Sequence, residues 1–103
     1  MLKVVLLASL AACTSANSTG ISPVSCPSDS TLTYASFGES FVSSNCLSCH
    51  DRQAPTLTTH AAIQANTDAI LNEAVYTDAM PQNASMDISE RELLGEWIAC
   101  GAP

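Results

Sequence analysis

Basic residues are scarce in this chain of 103 residues: Lys3, Arg52 and Arg91 stand against ten acidic side chains, a formal net charge of -7. Phosphate-backbone binding needs a basic face, so nucleic acid is excluded as the natural partner. Aromatics are also few, with two Phe, two Tyr and one Trp, so a core must take bulk from elsewhere. Long apolar runs are missing too. Val4 to Ala12 is nine residues, well short of the roughly 20 that span a bilayer as a helix. No stretch alternates apolar and polar residues as a half-buried strand does, and no internal repeat is found. What is present excludes an acidic disordered tail, because 47% of the residues are hydrophobic and can bury surface. The length allows one small domain. Five cysteines in so short a chain make their spacing the most informative feature.

The chain opens on Met1-Leu2-Lys3 and a short apolar run that ends in Leu10-Ala11-Ala12-Cys13. One basic residue before a short apolar stretch is the pattern of a secretory signal peptide. The Leu-Ala-Ala-Cys ending resembles the lipobox of bacterial lipoproteins. That resemblance implies a signal peptide over residues 1–12, cleavage before Cys13, and acyl chains on Cys13 as a membrane anchor, several chains being needed for stable attachment. Thr14 rather than Asp after the cysteine weakly favours the outer membrane by the same resemblance. The alternative is an ordinary signal peptide with a coincidental cysteine. Losing residues 1–12 removes Lys3 and leaves a charge of 2 − 10 = -8. Export places the chain in an oxidising, periplasm-like compartment. Between Thr14 and Thr33 ten of twenty residues are Ser or Thr, so residues 13–33 read as a lipidated cysteine and a flexible tether. The folded domain is expected over residues 34–103.

That domain reads as all-α, with three to four short helices. Tyr34, Phe37 and Phe41 form a helical stripe. Thr58 and Thr67 are expected caps for helices through Ala61–Ile63 and Asp68–Tyr76. The last helix has the clearest signals: Ser89 and Glu92 as a capping box, Ile88 and Leu93 as a hydrophobic staple, and Leu93, Leu94, Trp97 and Ile98 as its apolar face. Gly101 is placed as the glycine that ends it.

Cys46-Leu47-Ser48-Cys49-His50 is the C-x-x-C-H attachment motif of c-type haem. Two thiols three residues apart on a helical turn can add to the two vinyl groups of one porphyrin, and the next imidazole lies beneath the iron. A zinc half-site lacks a second Cys/His pair at suitable spacing. A thioredoxin-like redox pair lacks its β-α-β pattern. From here residues 34–103 resemble the small class I, monohaem cytochromes c. The resemblance implies that Gly38 and Val42 of the first helix pack against Leu94 and Trp97 of the last. It also implies Cys46 and Cys49 as haem thioethers, His50 as proximal iron ligand and Met80, followed by Pro81, as distal ligand. Pro55 is a candidate to accept the imidazole N–H through its carbonyl. Met86 is expected to pack at the start of the last helix, and His60 to be a surface helix residue. The 30 residues from His50 to Met80 are few for the family, which leaves one haem edge exposed. The remaining cysteines, Cys26 and Cys100, are expected to form a disulfide in an exported chain.

The function implied is single-electron transport by a haem iron between redox partners, from a lipid anchor. The alternative is a haem enzyme or sensor, peroxidase-like or gas-binding, with an open sixth position. A subunit of a larger oxidoreductase is a third reading. The acidic residues form no pair suited to acid–base catalysis and read as a solvated surface. They would steer a redox partner with a basic docking face at low salt.

Overall fold

The computed structural model describes residues 16–82 and 85–103, so the leader expected over residues 1–12 and the lipidation expected at Cys13 fall outside the described residues. Among the described residues the chain is helical with no strand, and an isolated β-bridge joins Ser18 to Thr77.

The first helical stretch starts at Thr33, whose side chain accepts the Ser36 N–H at 3.1 Å. It opens as a π-helical turn, Tyr34–Gly38, and continues as α1, Glu39–Asn45. Phe37 meets Phe41 at 5.0 Å and the edge of Trp97 at 5.8 Å. Tyr34 leaves this stripe and stacks on His60 at 4.3 Å, because the wider π turn breaks the 3.6-residue period that would align it with Phe37. The chain kinks at Cys46 into α2, Leu47–His50.

The next caps differ from the expected ones. α3, His60–Ala65, is capped by Thr59, not Thr58, through the Ala62 N–H at 3.1 Å. α4, Thr67–Ile70, has Thr67 as its first residue and no side-chain cap, and it runs on into a second π turn, Leu71–Val75. Asn66 breaks the helix ahead of it, its side-chain amide donating to the Ala62 carbonyl at 2.7 Å and so satisfying an end-of-helix acceptor.

α5, Ile88–Ala99, carries a capping box two residues upstream of the expected one, with Asp87 accepting from the Glu90 N–H at 2.8 Å and Glu90 returning to the Asp87 N–H at 3.1 Å. Ser89 donates its hydroxyl to Asp87 at 2.7 Å instead of capping. A carboxylate both accepts the free N–H groups and favours the positive end of the helix dipole. The earlier start turns Ile88 and Leu93 outward, 47% and 45% exposed, so they form no staple. Leu94, Trp97 and Ile98 are buried as expected. Bonding to the Glu90 N–H and the Ser89 hydroxyl holds the Asp87 carboxyl below the usual range. Its contribution is therefore present above the ordinary carboxylate pKa and lost as pH falls through the lowered one. Asp87→Ala is expected to lower the thermal midpoint at neutral pH more than Ser89→Ala does, and the gap should close in acid. A larger loss from Ser89→Ala would return the cap to Ser89.

α5 ends as expected. Gly101 has φ of 88°, its N–H reaches the Ile98 carbonyl, and the Ala102 N–H reaches that of Trp97, each at 2.9 Å. That pair of bonds is a Schellman motif, in which glycine takes the left-handed position without a Cβ clash. The core gathers Val42, Leu57, Ile63, Ala74, Val75, Leu94, Trp97, Ile98 and Ala102.

The Ser/Thr-rich segment is not a free tether over its described part. The Thr19 N–H donates to the Tyr76 carbonyl at 3.0 Å, the Thr19 hydroxyl to Val75 at 2.6 Å, and the Val24 N–H to the Tyr76 hydroxyl at 3.0 Å. Asn17 and Asp78 bond each other through backbone and side chain. Ile21, Val24 and Leu32, spaced among the hydroxyl residues, supply the apolar contacts that hold the segment down. The disulfide Cys26–Cys100 is formed, with its Cα atoms 4.7 Å apart, and ties this segment to the end of α5.

Candidate functional site

The C-x-x-C-H motif forms the kink at Cys46 and all of α2. The Cys46 N–H bonds back to Val42 at 2.8 Å, and the His50 N–H to the Cys46 carbonyl at 2.9 Å, so both ends of the motif are set by helical backbone. Cys46 and Cys49 carry free thiols, Cys46 half-buried and Cys49 exposed. Burial pushes the Cys46 thiol up to about 11. Among the described residues no three His, Cys, Asp or Glu side chains gather closely enough to hold one metal ion.

His50 is half-buried, with Nδ1 3.3 Å from the carbonyl of Gln53. A carbonyl can only accept, so this contact calls for the proton on Nδ1, and in a neutral ring that leaves Nε2 as the nitrogen with a lone pair. That is the tautomer a metal-ligating histidine needs. The orienting carbonyl belongs to Gln53, two residues before the expected Pro55. The difference follows from the tight turn after α2, where Arg52 and Gln53 donate their N–H groups to Cys49 at 3.2 and 2.9 Å and bring the Gln53 carbonyl back over the ring. Pro55 instead lines the cavity beside His50. The Leu57 N–H closes this loop onto the His50 carbonyl at 2.9 Å.

Two adjoining cavities share Cys46, His50, Ala74 and Met80 in their walls. One, about 120 Å³, adds Cys49, Gln53, Pro81 and Met86. The other, about 90 Å³, is walled mainly by apolar groups, including Val42, Leu57, Ile70 and Leu94. Met80 is half-buried and follows the second π turn, and its N–H bonds to the Glu73 carbonyl at 2.7 Å. The fold thus brings Met80 to the motif across 30 residues of chain. Met86 is buried at the start of α5, as expected.

His60, expected at the surface, is half-buried. It stacks on Tyr34, and its Nε2 lies 2.6 Å from the Ala102 carbonyl, so it fastens the C-terminal segment to α3 and lines neither cavity. Of the ten acidic side chains, nine are exposed and Glu96 is half-buried, in keeping with a solvated surface. Glu73 borders the apolar cavity.

Arg91 escaped the sequence reading. It is 4% exposed, beneath the loop that carries Met80. Its signal was available: Arg91, Leu94 and Ile98 share one face at helical spacing, so a charged residue sits inside the apolar stripe of α5.

Comparisons with protein-family models, with characterised proteins and with solved structures find nothing that matches this chain.

Proposed function

We propose that this chain is a c-type cytochrome that carries single electrons. The observation that carries the reading is the convergence of Cys46, Cys49, His50 and Met80, from two distant parts of the chain, on the walls of adjoining, largely apolar cavities. The donor set suits one haem: two thiols that can add across its vinyl groups, an imidazole with a free Nε2, and a neutral thioether. A haem bound here would supply one-electron exchange between Fe(III) and Fe(II). The chain's residues do the rest. Gln53 would orient His50 through Nδ1, Met80 would offer its thioether as the second protein ligand and so exclude O₂ and peroxide, and Val42, Leu57, Ile70 and Leu94 would keep the surroundings apolar. A thioether ligand raises the reduction potential relative to a second imidazole. On this reading the finer fold is that of a small cytochrome c, and the porphyrin is the largest apolar group in an interior short of aromatics.

Its setting follows from the leader. An exported chain acylated at Cys13 would face the periplasm from a membrane. Its acidic mature surface suits donor and acceptor proteins with basic docking faces.

The test is the visible spectrum of the full chain expressed with haem c maturation enzymes, oxidised and reduced. Haem should stay with the polypeptide through acid–acetone extraction and be lost from Cys46→Ala/Cys49→Ala. The ferric protein should show the weak far-red band of methionine sulfur on iron, absent from Met80→Ala, and the reduced parent should not bind CO. A parent without the band that binds CO readily has an open sixth site, and the enzyme or gas-binding reading replaces the carrier. A parent that retains no covalent haem overturns both.

A further inference from the structure

Arg91 carries one of only two positive charges in the chain after Lys3, and it is buried with no carboxylate in ion-pair distance among the described residues. Desolvating a guanidinium is costly unless its donors are all engaged. Here backbone carbonyls engage Nε and Nη1. Nε donates to Met86 at 3.2 Å. Nη1 faces the carbonyls of Ala74 at 2.7 Å, Met80 at 2.8 Å and Thr77 at 3.3 Å. These four acceptors lie on the second π turn, on the loop after it, and at the start of α5. They frame the chain segment that delivers Met80.

We infer that Arg91 is the positioning residue for Met80, its buried guanidinium fixing the Met80 carbonyl and the flanking turn so that the thioether is held facing His50. The inference rests on the proposed haem reading for its spectroscopic consequence, though not for the clamp itself. The Met80 peptide is gripped at both ends. Its N–H is taken by Glu73 and its C=O by Arg91, so the residue has little freedom to swing its side chain out. A lysine substitutes poorly, because its single ammonium cannot serve the Met86 carbonyl, held here by Nε, together with the three carbonyls around Nη1, and its flexible stem is less preorganised. A merely structural arginine would stabilise the whole domain equally. This one would act first on residues 76–82, since three of its four bonds go to that segment or the turn leading into it.

The test compares the haem-matured full chain with Arg91→Lys and Arg91→Met. Each charge-assisted bond lost should raise the opened fraction of the Met80 loop about tenfold or more. Arg91→Lys should therefore weaken the far-red methionine–iron band and let CO bind the reduced form, while amides of α5 keep their protection from hydrogen exchange. Arg91→Met should lose the band outright, and if it does not fold, Arg91→Lys decides. An unchanged band and unchanged refusal of CO in Arg91→Lys overturn the inference, as does exchange that rises in α5 as much as in residues 76–82. If the parent itself shows no haem or no band, the haem reading has failed. Hydrogen exchange in the same chains then decides the clamp alone: selective acceleration over residues 76–82 upholds it, and uniform acceleration overturns it.

Discussion

Gly38→Val should cost about 3 kcal/mol or more and leave little soluble folded protein. Gly38 has φ of -64° and ψ of -43°, ordinary right-handed helix that any residue adopts. Backbone freedom is not the reason for glycine here; space is. A Cβ at this position would overlap the indole of Trp97, which is fully buried and cannot step aside. The indole is held from behind by its own N–H, which donates to the Pro103 carbonyl at 3.2 Å, and by Phe37 at its edge. Overpacking of a rigid site typically costs about 1–3 kcal/mol, and more where no side chain can yield. The sign of Gly38→Ala is the sharper test. At a free helical position alanine gains roughly 1 kcal/mol over glycine. Here it should destabilise, as denaturant unfolding will show. Pairing it with Trp97→Phe should recover part of the loss, because the smaller ring vacates the contested space. A stabilising Gly38→Ala would mean that the two helices do not meet there.

The contact of Gly38 with Trp97 was legible before any coordinates, and so were the buried Val42, Leu94 and Ile98 and the glycine-ended last helix. Leu94, Ile98 and the glycine end rest on helical periodicity and on glycine's position, which are local to one element, whereas the packing of Gly38 and Val42 against the last helix was implied only by the family resemblance of residues 34–103. The helix caps were legible only in kind. Thr58 and Thr59 are chemically equivalent, and only the chain's path chooses between them. Around α5 two capping-box spacings overlap, Asp87 with Glu90 and Ser89 with Glu92, and the stronger acceptor, the Asp87 carboxylate, starts the helix. The Ser/Thr-rich segment misled because its composition is that of a linker. Three apolar side chains and one disulfide were enough to lay it down on Tyr76 and Gly95.

At the candidate site the motif residues announced themselves, since spacing carries their chemistry. The groups that orient them did not. Gln53 acts through a main-chain carbonyl, which any residue possesses, and its identity is set by the turn after α2. Arg91 binds four main-chain carbonyls from three stretches of chain. No sequence pattern marks such acceptors, although the charge within the apolar face of α5 marked the donor. Side chains that do chemistry are visible in a sequence more readily than the backbone that aims them.

The disulfide should prove the strongest single staple of the protein. Cys26 and Cys100 are separated by 74 residues, and closing a loop of that size removes on the order of 4 kcal/mol of unfolded-state entropy in the chain-entropy treatment. Cys26→Ser/Cys100→Ser should therefore lower stability by about 2–5 kcal/mol and the thermal midpoint by roughly 10–25 °C for a domain of this size. Proteolysis should then begin in residues 20–32, whose remaining hold on the domain is a few hydrogen bonds and the apolar contacts of Ile21, Val24 and Leu32. A midpoint within a few degrees of the parent would show that those contacts suffice alone. Thiol reductant applied to the parent should reproduce the double variant's midpoint, because it cleaves an S–S bond. On the proposed haem reading it should leave the haem in place, because thioethers formed at Cys46 and Cys49 would be C–S bonds that thiol exchange does not attack. On that reading the same titration separates two kinds of sulfur link: stability falls with the disulfide, while colour would stay with the thioethers.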